Sequence, residues 1–289
     1  MKRLFTLAAL CIVFFSLRAA CAEVFFNAPP TEHWYQSPLL RITAFSHGAS
    51  DCMLLQCGGE SMMVDGGTAA YGENLIREMQ KRNIRHFKYL LNTHYHEDHV
   101  GGLCELMASG FTAEAYLHPY VYASIYASPN HRRAMSLVKS KGIYDRQVQH
   151  GETLYLGEAQ LSVLRHDAGT TANGRSAVLH VQFGTATALL TGDIIGEAQT
   201  WLVENVDAAL LRADILKAPH HGVTAVTADF LKTVSPDMLF ITGPEKEAKA
   251  AIQQAQKNNV PYISTESAHI VMETDGTDWY VYQTESAFS

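Results

Sequence analysis

Cysteine is scarce in this chain. Five occur in 289 residues, and two of them, Cys11 and Cys21, fall near the amino terminus. The other three, Cys52, Cys57 and Cys104, are odd in number and cannot complete a disulfide framework. Cys52 and Cys57 lie an odd step apart on an expected strand, where side chains alternate between faces. All three therefore read as small buried hydrophobes. Positive charge is in deficit too: 22 Lys and Arg stand against 29 Asp and Glu, a formal net charge of −7. Phosphate neutralisation supplies most non-specific affinity for nucleic acid, so a general nucleic-acid-binding surface is excluded, though a local basic groove is not. Internal repeats, low-complexity tracts and composition breaks that would mark a second domain are absent. Beyond the amino-terminal segment, no apolar run approaches the roughly 20 residues of a membrane span. What the chain does hold is enough apolar residue for a large core, 47% hydrophobic against 18% charged, which sets it apart from disordered chains.

The long apolar run at residues 4–17 follows Lys2 and Arg3 and precedes Ala20-Cys21-Ala22. This order reads as a secretion signal over residues 1–22, releasing a mature chain of residues 23–289. The run is short for a transmembrane anchor. A lipoprotein anchor on Cys21 is the alternative, although Arg18 stands where such signals carry an apolar residue. Loss of Lys2, Arg3 and Arg18 takes the formal charge from −7 to −10. The expected location is secreted or periplasmic.

Hydrophobic spacing predicts strands over 39–45, 52–57 and 61–64, a helix over 74–81 and a buried strand over 86–91. A short helix over 103–107, a strand at 116–117 and a mostly helical stretch over 120–141 follow. Strands at 153–156, 159–164, 177–183 and 187–191 open a second half. It continues with helices over 197–204, 225–234 and 247–258, strands over 215–218, 238–241 and 262–264, and a hairpin of 270–274 with 279–283. Two similar strand-rich halves predict an α/β fold, with two sheets face to face and helices outside.

Strand 86–91 runs directly into Thr93-His94-Tyr95-His96-Glu97-Asp98-His99-Val100-Gly101-Gly102. Imidazole nitrogen suits zinc and other first-row divalent ions, and carboxylate oxygen completes a mixed shell. On a tight turn, His94 and His96 can point one way while Asp98 and His99 face a second ion.

This segment resembles the HxHxDH signature of the metallo-β-lactamase superfamily. Asp65-Gly66-Gly67 resembles the family's first motif. Leu189-Leu190-Thr191-Gly192-Asp193 resembles the strand that ends in the bridging aspartate, and Asp214-Ile215-Leu216-Lys217-Ala218-Pro219-His220-His221-Gly222 resembles the final histidine motif. The last two, with Ser235-Pro236-Asp237, are most similar to the hydrolase domain of ComEC-type DNA-uptake competence proteins. The resemblance spans residues 39–285 and implies an αββα sandwich with two divalent ions, zinc or manganese. It implies that His94, His96 and a third histidine hold the first ion, that Asp98, His99 and His220 hold the second, and that Asp193 bridges them. Asp65 would orient a ligand histidine. His166 is the positional candidate for the third histidine; a strand-end surface histidine is the other reading. His221 either contacts substrate or faces solvent. The competence-type pattern Asp-Val-Gly-Gln-Gly-Asp is here Ser46-His47-Gly48-Ala49-Ser50-Asp51. Asp51 is retained, and His47 is either a contact at the site mouth or a plain loop histidine.

The expected chemistry is hydrolysis by water activated between two ions about 3.5–4 Å apart, with Asp98, Asp193 and His221 as candidate catalytic residues. Oxygen-rich dinuclear sites suit phosphate esters, and the commonest zinc β-lactamases carry cysteine where Asp193 stands. A phosphodiester is the first expectation: a nucleotide, an envelope phosphodiester, or nucleic acid as substrate only. A carboxylic ester, thioester or lactam is the alternative, and a non-catalytic metal-bound binding module is a second one. Residues 116–144 hold Tyr116, Tyr120, Tyr122, Tyr126 and Tyr144 with His131, Arg132 and Arg133. They read as a lid stacking on bases and meeting phosphate, or as amphipathic helices with interfacial tyrosines.

Overall fold

The computed structural model describes residues 22–27, 29, 39–120 and 128–285. Residues 1–21 of the expected signal, with Cys11 and Cys21, lie outside the described residues, as do Tyr122 and Tyr126. The first half comprises β1 (Val24–Phe26), β2 (Leu40–Ala44), β3 (Cys52–Cys57), β4 (Glu60–Gly66), α1 (Gly72–Lys81), β5 (His86–Leu91), α2 (Glu97–Ala108), β6 (Thr112–His118), α3 (Pro129–Lys141) and β7 (Tyr144–Gln147). The second half begins with β8 (Thr153–Leu156), β9 (Ala159–Leu164), β10 (Val178–Phe183), β11 (Ala186–Leu190), α4 (Gly196–Asn205), α5 (Ala208–Leu211) and β12 (Ile215–Lys217). It ends with α6 (Ala228–Val234), β13 (Met238–Ile241), α7 (Lys249–Lys257), β14 (Tyr262–Ser264), β15 (Ala268–Thr274) and β16 (Trp279–Glu285).

Two mixed sheets result. One is ordered β1-β16-β15-β2-β3-β4-β5-β6-β7, the other β14-β13-β12-β11-β10-β9-β8. Within each, an antiparallel set passes into a parallel one: β2, β3 and β4 alternate in direction, whereas β4, β5, β6 and β7 run together. The closing hairpin departs from a simple doubling of halves. β15 pairs with β2, Ile270 opposite Ala44, so the last strands of the chain complete the first sheet.

Strand alternation builds the layers. In β3, Met53 and Leu55 face the other sheet and pack with Leu161, Val163, Leu179 and Val181. Their neighbours Cys52 and Leu54 face the helices, packing with Leu75, Val100 and Leu103. A third cluster joins the second sheet to α4, α6 and α7 through Leu189, Leu202, Phe230 and Ala251. The order helices, sheet, sheet, helices is the αββα sandwich. Each aliphatic side chain so buried stabilises it by roughly 1.5–3 kcal/mol. Cys52 and Cys57 sit in different layers, and these two and Cys104 are buried and unpaired.

Most elements lie within a few residues of expectation, and α2 is the instructive exception. It starts at Glu97 and not at 103; Gly101 and Gly102 depress helix propensity in its first half and hide that start from the local pattern. These glycines are required by packing. A Cβ on Gly102 would lie 1.9 Å from the Gly66 carbonyl oxygen, and one on Gly66 would lie 2.4 Å from the Leu103 amide. The start of α2 is thereby pressed onto the end of β4, which carries Asp65 to His99. β7, with the polar sequence YDRQ, and the short β1 and α5 give too little pattern to read from sequence.

Gly102→Ala is expected to destabilise the protein by about 3 kcal/mol, since the methyl must displace backbone and not a flexible side chain. Urea unfolding of the purified variant checks this; an unchanged midpoint would refute the packing account.

Candidate metal centre

Neighbouring parallel strands end on the same side of a sheet, and ligand sites in α/β folds gather at such carboxyl ends. β4 pairs in parallel with β5, and β11 with β12. β4 delivers Asp65, and the turn after β5 delivers His94 to His99. The turn after β11 delivers Asp193, and β12 ends in Lys217 just before His220 and His221. The local backbone is shaped to the purpose. Asp65, His220 and His221 all adopt left-handed φ near +50 to +57°, each costing about 1–3 kcal/mol that the surroundings must offset. The paired left-handed residues turn both imidazoles of 220 and 221 toward Asp193.

Asp51, His99, Asp193 and His221 each bring one ligand atom into a group whose members all lie within 4.8 Å of one another. His99 Nε2 is 3.1 Å from Asp193 Oδ2, and His221 Nε2 is 3.4 Å from the same oxygen and 3.2 Å from Asp98 Oδ2. His94 Nε2 lies 3.8 Å from Asp193 Oδ2 and 2.9 Å from His96 Nδ1. His220 stands further out, with Nε2 3.8 Å from Asp193 Oδ2 and Nδ1 2.8 Å from the Thr224 hydroxyl.

Each central group is held from behind. Asp65 accepts from Asn92 Nδ2 at 2.9 Å, the Thr93 amide at 2.8 Å and the Thr93 hydroxyl at 2.6 Å, and lies 2.8 Å from His99 Nδ1. That contact directs His99 Nε2 at Asp193. Asp51 accepts from the Thr242 hydroxyl at 2.6 Å and lies 3.0 Å from His221 Nδ1. Its other oxygen is 2.5 Å from Lys217 Nζ, which also donates to the Gly192 carbonyl at 2.7 Å and lies 3.6 Å from Asp193 Oδ1.

Burial and charge oppose each other throughout this cluster. Burial alone would lower the pKa of His99, but the Asp193 and Asp65 carboxylates raise it well above the ordinary value. Burial likewise acts to lower His221, and Asp193 and Asp51 override it, pushing its pKa up to about 10. Desolvation would raise Asp193, yet His99 and His221 bring it well below the usual carboxylate range. His94 moves the other way: burial, with His99 beside it, lowers it well below normal.

The donors fit a cation. His99 Nε2 and both oxygens of Asp193 are buried with no hydrogen-bond partner. Such an orphan costs about 1–3 kcal/mol, and these three converge. The set is nitrogen and oxygen only, which suits zinc or manganese.

Not every residue singled out in the sequence comes to this cluster. The His166 ring stacks on the Trp201 indole with centroids 4.9 Å apart, and no hydrogen bond or ion pair among the described residues ties it to Asp193 or His94. His47 is buried between Tyr71, 5.0 Å away and nearly parallel, and Phe45. Tyr116 and Tyr120 are buried, both hydroxyls directed at Asn92 Oδ1, and Arg133 pairs with Glu105. Tyr144 is exposed on β7. Conversely, Asp51 and Lys217 take central places that no spacing rule assigned them. The available signal was Lys217 itself, a lone cation in the apolar run Ile215-Leu216-Lys217-Ala218.

The family model of the metallo-beta-lactamase superfamily matches residues 46–243. The chain belongs to that superfamily. Its fold is shared with the metallo-beta-lactamase fold protein YhfI from Bacillus subtilis at 13% identity and a TM-score of 0.55, over 82% of this chain and 100% of that one. It is shared also with CmlA, a diiron beta-hydroxylase from Streptomyces venezuelae, at 13% identity and a TM-score of 0.52, over 86% of this chain and 55% of that one. No curated protein matches the sequence.

Two outcomes follow from the geometry. Lys217→Met leaves Asp51 buried without its ammonium, so the metal-free protein should lose about 3–5 kcal/mol, and adding Asp51→Asn should recover most of it. Urea midpoints read both; a loss below about 1 kcal/mol would show the pair to be dispensable. His47 has its pKa pushed down to about 4, chiefly by burial, with His269 adding and Glu78 opposing. Because the unfolded chain protonates near the ordinary value of 6.5 and the folded one resists, His47 contributes stability above that pH that is lost as pH falls toward 4. His47→Phe should shrink the loss of unfolding free energy across that window by about 3 kcal/mol; parallel pH profiles would contradict it.

Proposed function

We propose that this protein is an exported, metal-dependent hydrolase that cleaves a phosphodiester. The observation that carries the reading is the buried, convergent and unsatisfied donor set around Asp193. His94 and His96 with Asp193 would hold one ion, and Asp98, His99 and the pair His220–His221 the other, with Asp193 between them. Bound there, two divalent ions would polarise a scissile phosphoryl oxygen and lower the pKa of a water.

The chain's own residues do the positioning. Asp65 fixes the ring of His99, Lys217 and Thr242 fix Asp51, and Asp51 in turn fixes His221. Asp98 lies within reach of His221 at the open side of the cluster and is the partly exposed carboxylate there, with 34% of its side chain accessible. It is the group placed to take or return a proton at the substrate side.

The fold by itself does not set the reaction: CmlA, a diiron beta-hydroxylase, shares it. The phosphodiester reading is favoured by the oxygen-rich set Asp51, Asp98 and Asp193, and by the likeness of residues 189–193 and 214–222 to ComEC-type hydrolase domains. The order of Lys2 and Arg3, apolar run and Ala20-Cys21-Ala22 supports export with a mature start at Glu23.

Purified protein loaded with zinc or manganese is expected to cleave bis(p-nitrophenyl) phosphate. Chelation should abolish the activity, and Asp193→Asn should lower it by at least about a hundredfold. Turnover of a lactam, carboxylic ester or thioester with no phosphodiester cleavage would move the substrate to acyl compounds. Full activity after exhaustive chelation would overturn the mechanism. Amino-terminal sequencing of the exported protein tests the start at Glu23.

A further inference from the structure

A pocket of about 60 Å³ opens beside His94, lined also by Tyr95, Tyr120, Thr170, Thr171 and Arg175. That is roughly four times the space one water needs: too little for a nucleobase, enough for one tetrahedral oxyanion. Its wall at His94 is the wall of the metal centre, since His94 Nε2 lies 3.8 Å from Asp193 Oδ2.

Its chemistry is one-sided. None of the lining residues carries a carboxylate, and Arg175 supplies a permanent positive charge. Arg175 Nε donates to the Gly169 carbonyl. That bond orients the guanidinium, and no ion pair among the described residues engages its two terminal nitrogens. The loop bearing it is tied to the centre on one side and to α4 on the other. Asp193 N donates to the Ser176 hydroxyl at 3.3 Å, and Ala177 N donates to the Thr93 carbonyl at 3.0 Å. Glu197 in the first turn of α4 accepts from the Thr170 amide and hydroxyl at 2.9 and 3.0 Å. Glu197 itself does not line the pocket. A planar fork with fixed orientation and free donors matches the oxygens of a phosphoryl group.

We infer that this pocket is an oxyanion subsite, in which Arg175 binds the non-bridging oxygens of the substrate's phosphoryl group beside the metal centre. The inference rests on the hydrolase reading for its substrate, but not for the binding itself. Arg175 is thus a specificity-determining residue, selecting substrates with a free oxyanion at that position.

The test uses inorganic phosphate as probe, titrated calorimetrically into the full mature protein with and without zinc, for wild type, Arg175→Met and Arg175→Lys. Wild type should bind phosphate in both states. Arg175→Met should weaken binding about tenfold or more, as loss of a charge-assisted pair requires, and Arg175→Lys by less. Zinc affinity should be unchanged in both variants and melting temperature should fall by about 2–4 °C at most, as loss of the Gly169 bond alone implies, separating a binding role from a structural one. With bis(p-nitrophenyl) phosphate, the Met variant should raise KM more than it lowers kcat. Equal phosphate affinity in wild type and Arg175→Met would overturn the subsite, as would phosphate binding that needs zinc and ignores residue 175. Acetate competing as tightly as phosphate, and equally dependent on Arg175, would keep the subsite and assign it to a carboxylate. Arg175-dependent phosphate binding without any phosphodiester cleavage would sink the phosphodiester reading alone.

Discussion

Three buried carboxylates at the meeting of two sheets set the terms for the rest of this protein. Asp51, Asp65 and Asp193 are all essentially inaccessible to solvent. A buried charge is tolerated only when paired and hydrogen-bonded, and each of the three is answered differently. Asp65 is saturated by Asn92, Thr93 and His99. Asp51 is answered by Lys217, Thr242 and His221. Asp193 alone keeps both oxygens without a hydrogen bond while four imidazoles approach it. The unsatisfied member of the trio is where a cation belongs.

This division of labour orients the centre through bonds made behind it. Asp65 and Asp51 act from behind, each holding a histidine by Nδ1 so that its Nε2 is turned toward Asp193, and in His221 toward Asp98 as well. The lysine is part of the same balance: nearby carboxylates raise the pKa of His99 and His221 against the effect of burial, while Lys217 answers Asp51. Ligand histidines must be neutral, so an ion held there would displace their protons, with Lys217 remaining as the counter-charge to Asp51.

The same centre faces outward through His94. On one side Asp98, partly exposed, borders His221. On the other the loop over 169–176 brings Arg175 to the pocket wall. Both are tethered through backbone to the central residues, by Asp51 N to the Asp98 carbonyl and Asp193 N to the Ser176 hydroxyl. The donor cluster at the carboxyl ends of β4, β5, β11 and β12 and the Arg175 loop between β9 and β10 are thus joined in one scaffold.

Much of this was legible in the residues. Alternation in β9 and the near-continuous apolar runs in β3 and β5 fixed strands to the residue, because a half-buried or fully buried strand leaves a local pattern. The cluster His94 to His99 announced cation chemistry because four such groups in six positions have little other use. Local pattern could not reveal α2's true start, since Gly101 and Gly102 serve a contact with Gly66 rather than helix propensity. Nor could it place His166 against Trp201, bury Tyr116 and Tyr120 over Asn92, or join Asp51 to Lys217 and His221. Each of those depends on residues far apart in the chain meeting across the sandwich. Sequence determined the elements and the chemical vocabulary of the site, because both are written in neighbouring residues. Tertiary structure decided which carboxylate is saturated and which is left open, because that is settled only when separate strands end side by side and water is excluded.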